Sequence, residues 1–229
     1  MEKSKLRSHL AIAIMLGSVW GMSEVLLGAG IQACARTISG SVMTGMALLF
    51  ITAAWVATRN FYIPVLVVLM ACLFKLLDAA LLSLPIMHGA IGNPIFAFLL
   101  EGFAFLMLLA VFRRQTWQKF SSRIYLGAGA ALISVAMFPL VKFATGVPAC
   151  VYPGTSVPLS IFFAPIAILF SGFTVPVGFI AGERIRKAPG TKSRRSLPGL
   201  SGSLASPLTL VICLVLVVLF RMIVSSGAS

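Results

Sequence analysis

Residues 62–84 read YIPVLVVLMACLFKLLDAALLSL, and only Lys75 and Asp78 in this run are charged. A helix of that length rises ~35 Å at 1.5 Å per residue, enough to cross the ~30 Å hydrocarbon layer of a bilayer. The same reading extends in both directions. Apolar spans fall at about 10–33, 41–58, 62–84, 94–112, 124–145 and 156–182, and a seventh at about 207–224 follows a basic linker. They are continuously apolar rather than alternating, which separates them from the strands of a membrane β-barrel. The expected fold class is all-α: a polytopic integral membrane helical bundle of six core helices plus a seventh C-terminal one. Its parts are a six-helix, solute-binding membrane domain (1–185), a basic cytoplasmic linker (186–206) and a C-terminal transmembrane helix (207–229).

Composition agrees. Of 229 residues, 59% are apolar and 10% are charged, against roughly 25% charged in an ordinary soluble domain. A soluble enzyme, a disordered tail and a secreted disulfide scaffold are therefore excluded. The net charge of +13 does not point to nucleic acid, because bases at membrane borders are what the positive-inside rule predicts.

Those bases orient the chain. Alternate borders carry Lys3, Lys5 and Arg7; then Arg59; then Arg113, Arg114, Lys119 and Arg123; then Arg184, Arg186, Lys187, Lys192, Arg194 and Arg195. The opposite borders of the core carry Arg36 alone. The expectation is an inner-membrane, multi-pass protein with a cytoplasmic N-terminus. Span seven then ends outside, with Arg221 snorkelling to the outer surface. Span one is too long, and carries Glu24, for a cleaved signal peptide. Ile31-Gln32-Ala33-Cys34 fits a lipoprotein cleavage box poorly. Gly190-Thr191-Lys192-Ser193 lacks the order of a nucleotide loop. Cys34 and Cys150 both fall on the outer side, where a disulfide is possible in an oxidising compartment.

A charge at the bilayer centre costs at least ~2.5–3.5 kcal/mol on insertion scales, so charges there mark helix packing or a cavity. Glu24, Lys75, Asp78, Glu101 and Lys142 all fall at mid-depth or toward the outer side, and His88 and Asn93 lie in the short connection between spans three and four. This asymmetry suggests a cavity open outward and closed below, rather than a proton wire. The candidate substrate-binding residues are Glu24, Lys75, Asp78, His88, Asn93 and Glu101. Each also has a structural reading. Lys75 and Asp78, three apart, can pair with each other; Glu24 can bond a neighbouring hydroxyl; Asn93 can cap span four with Pro94 at its first position; His88 can be a plain loop residue. Glu101 has no partner one turn away on its own helix and is the first choice for direct contact. The Pro- and Gly-rich segment 146–154 reads as a lid, and Pro158, Pro165 and Pro176 as kinks in span six. No metal-ligand spacing appears, so a metal remains an open question and no cofactor is expected.

On the six short-looped helices, the cytoplasmic ends of that core, the small chain and the small-residue stripe Ala13, Gly17 and Gly21 of span one, residues 1–185 resemble the substrate-binding S component of energy-coupling factor (ECF) transporters. That family uses an alanine-based stripe to dock its coupling subunit; glycines here and the seventh span depart from the pattern. The resemblance implies a non-enzymatic binder that captures a small nutrient (a vitamin, a precursor or a metal ion) near the outer face. Its partners would be a transmembrane coupling subunit and separate ATPases. An outer-facing membrane enzyme using Glu24, Asp78, His88 and Glu101 is the main rival. A stand-alone secondary carrier is another, although no internal repeat supports it.

Overall fold

The computed structural model describes residues 2–32, 36–112, 117–146, 151, 154–187 and 205–226. They form α1 (Glu2–Gln32), α2 (Arg36–Thr58), α3 (Tyr62–Leu81), α4 (Gly89–Val111), α5 (Phe120–Met137), α6 (Val141–Thr145), α7 (Leu159–Lys187) and α8 (Ala205–Ser226). A 3-10 turn over Phe138–Leu140, containing Pro139, joins α5 to α6. With α5 and α6 taken as one span, seven helices among the described residues are long and apolar enough to cross a membrane. The chain is a multi-pass helical membrane protein. Phe143, Phe173 and Leu169 are well exposed on its surface. So broad an apolar exterior suits lipid and would be a liability in water.

Close backbone contact organises the centre. On α7, a Cβ at Gly178 or Gly182 would lie 2.7 Å from the Leu49 carbonyl oxygen or 2.6 Å from that of Ala53, both on α2. A Cβ at Gly127 of α5 would collide with the Ser171 carbonyl of α7. In the apolar window of α2, 72% is buried, against 11% for α8. Even so, α8 is joined to the bundle: Cys213 and Val217 pack with Val25 of α1 and Phe74 of α3.

The end where α1 begins, here the basal end, is filled with rings. Trp55 meets Phe105 and Phe179 edge-on at 6.5 and 5.9 Å. Arg59 stacks over Trp55 at 4.8 Å and Arg123 over Phe179 at 4.5 Å, so these border cations also cover the aromatic plug.

Three expectations need correction. The stripe Ala13, Gly17 and Gly21 is buried within the chain: a Cβ at Gly17 or Gly21 would come within 2.5 Å of the Cβ of Met70 or Phe74 on α3. Small residues here let α1 and α3 approach each other, so the stripe presents no free face to a coupling subunit. Helix α4 starts at Gly89, five residues before the expected start, because His88 caps it: its Nδ1 accepts from the Ala90 N–H at 3.2 Å. Asn93 is therefore no cap, and Pro94 lies inside the helix. Pro158 precedes α7 in a single bridge with Val151, while Pro165 and Pro176 lie within it. Cys34, Cys150, the linker 188–204 and most of the expected lid lie outside the described residues.

Candidate functional site

At the end of the bundle away from the start of α1, a cavity of about 270 Å³ lies among α1, α2, α3, α4, α5 and α7. That is near the lower end of small-molecule pockets, ~300 Å³. Four of the six candidate residues line it: Glu24, Lys75, Asn93 and Glu101. Each stands on a different stretch of apolar helix and turns inward because lipid offers it no partner.

Glu24 is buried on α1, and its Oε1 accepts from the Trp20 Nε1–H one turn below at 3.2 Å. This is the structural bond the sequence allowed, with an indole in place of a hydroxyl. Trp20 stacks tilted on Phe98, which lines the cavity, with centroids 5.0 Å apart. Lys75 is within electrostatic reach of Glu24, and Glu24 in turn of Glu101. Glu101 sits mid-way along α4 and is 3% exposed. Thr44 of α2 lines the same cavity, and Glu101 Oε2 is buried with no partner. Two more cavity residues share this condition: Asn93 Oδ1 and Ser160 Oγ are also buried and unpartnered. Buried polar atoms are nearly always hydrogen-bonded in native proteins, so these three oxygens are candidates to bond a ligand or ordered water.

The other two candidates are elsewhere. His88 is exposed and serves as the α4 cap. Asp78 is fully buried outside the cavity lining. Its Oδ1 accepts from Arg221 Nε at 2.6 Å and its Oδ2 from Arg221 Nη2 at 2.9 Å, a bidentate fork. Lys75 Nζ adds a third bond to Oδ2 at 3.1 Å. Arg221 thus does not snorkel: its side chain is 14% exposed and locks α8 to α3. Lys142 is exposed on α6 and away from the lining.

Thr44, Ser160 and Phe163 belong to the lining but were not among the candidates. Thr44 had a faint signal, since it follows Gly40 by one helical turn on α2. Comparison with family models, curated proteins and solved structures finds no match, and the site is read from its own chemistry.

Proposed function

We propose that this chain is a membrane-embedded solute-binding subunit. It captures a small nutrient at the outer face for uptake energised by separate ATPase subunits, as its resemblance to ECF S components implies. The observation that carries the reading is the cavity itself, with Glu101 Oε2, Asn93 Oδ1 and Ser160 Oγ buried around it and unpartnered. A site that binds without reacting needs complementary polar groups in an otherwise apolar pocket, and this cavity has them. The difference between the two ends supports capture from one side: the cavity end is hollow and carries a few polar groups, and the basal end is plugged by Trp55, Phe105 and Phe179. Combined with the border bases, the reading orients the cavity outward and the basal end toward the cytoplasm. A coupling subunit would dock on a face other than the Ala13–Gly21 stripe.

The test is native mass spectrometry of protein purified in mild detergent after exposure to a nutrient-rich extract. A retained small molecule, lost from Glu101→Gln, is the expected result. An empty wild-type protein that takes up nothing from the extract overturns the reading. Single cysteines introduced near Arg113 and near Gly154 should label from opposite sides; labelling of both from outside would invert the orientation.

A further inference from the structure

We propose that the cavity takes a monovalent organic cation, a protonated amine on a small apolar body; this rests on reading the cavity as a solute site. Charge balance supplies the first argument. Among the described residues, the charged groups around the cavity and its neighbouring ion pair are Glu24 on α1, Lys75 and Asp78 on α3, Glu101 on α4 and Arg221 on α8. The described lining residues of α2, α5 and α7 carry no charge. Among the described residues, two carboxylates, Glu24 and Glu101, line the cavity with one cation, Lys75, whose Nζ is already bonded to Asp78. A buried carboxylate is costly unless it takes up a proton or gains a partner, and a bound monocation is such a partner. An anion would deepen the imbalance.

Donor chemistry supplies the second. An ammonium group offers three N–H donors and no acceptor. The unpartnered oxygens of the cavity, Glu101 Oε2, Asn93 Oδ1 and Ser160 Oγ, can all accept. Asp78 does not compete for the guest, because Arg221 and Lys75 already occupy it. A metal cation fits less well: among the described residues, no group of three or more His, Cys, Asp or Glu is placed to hold one. The lining also includes the rings of Phe98, Phe138 and Phe163, beside the hydroxyl residues Ser39, Thr44 and Ser134. Ring faces attract cations and cover hydrocarbon equally well.

The experiment is calorimetric titration of the full chain in nanodiscs with three probes of one shape: benzylamine, benzyl alcohol and benzoate, with empty nanodiscs subtracted. Benzylamine should bind at least ~10-fold more tightly than benzyl alcohol, as expected for a charge-assisted bond, and benzoate should not bind. Glu101→Gln should weaken benzylamine about tenfold or more, with little change for the alcohol. Lys75→Met gives the opposite sign. It removes a cation from the lining while Asp78 keeps Arg221, so benzylamine should bind as well or better. Equal or tighter binding of benzyl alcohol or benzoate overturns the amine assignment but leaves a solute site. So does a loss of benzylamine binding in Lys75→Met as large as in Glu101→Gln. If none of the three probes binds, the assignment falls; the extract experiment above then decides separately whether the cavity binds any solute.

Discussion

Asp78 and Glu101 are both carboxylates buried in apolar helices, at 0% and 3% exposure, yet they live under opposite conditions. Asp78 receives three hydrogen bonds from two cations. Glu101 lines the cavity together with a second carboxylate, Glu24, and keeps an oxygen unpartnered. Burial alone therefore does not separate structural charge from functional charge; the completeness of the partner set does. The saturated carboxylate holds two helices together, and the unsaturated one lines a cavity.

Four substitutions test that contrast. Asp78→Ala should have the largest effect, because it leaves Arg221 and Lys75 buried without their counterion. A loss of about 3–5 kcal/mol is expected, seen as a collapse of monodisperse yield, with partial recovery in the double variant Asp78→Ala/Arg221→Met. Arg221→Met alone leaves Asp78 with Lys75 and should cost about 1.5–3 kcal/mol, measured as a lower melting temperature in detergent. Gly182→Ala, at the basal end, presses a methyl group on the Ala53 carbonyl and should cost about 1–3 kcal/mol. Solute affinity of the protein that still folds should be unchanged, which separates lost stability from lost binding. Glu101→Gln should shift stability least, by under about 1 kcal/mol, while solute binding falls by about 1.5–3 kcal/mol. If Glu101→Gln melts as early as Arg221→Met, the two carboxylates are alike and the contrast fails.

The fold was legible because hydropathy dominates in a membrane protein: a span is recognisable from its own residues, whatever it packs against. Its details were less so. The start of α4 depends on a cap formed by an imidazole nitrogen of His88, whereas Asn93-Pro94 carries the commoner signature of a helix start. The spacing of Gly17 and Gly21 announced close approach but could not say whether the neighbour was α3 or another protein. In the site, Glu24, Lys75, Asn93 and Glu101 stood out as polar groups in or beside apolar runs. Ser160 and Thr44 did not, since hydroxyls are common in helices and often bond their own backbone. Asp78 was misjudged for a related reason: its nearest charge in sequence, Lys75, is only part of its partner set, and Arg221 lies 143 residues away.

That separation sets a timetable for biosynthesis. At ~5–20 residues per second, the ribosome completes α3 roughly 7–30 s before it makes Arg221. Throughout that interval the nascent chain holds Asp78 with Lys75 as its nearest cation, and the surface of α3 and α1 that α8 will cover is still bare. Arrival of α8 is thus the step that closes assembly.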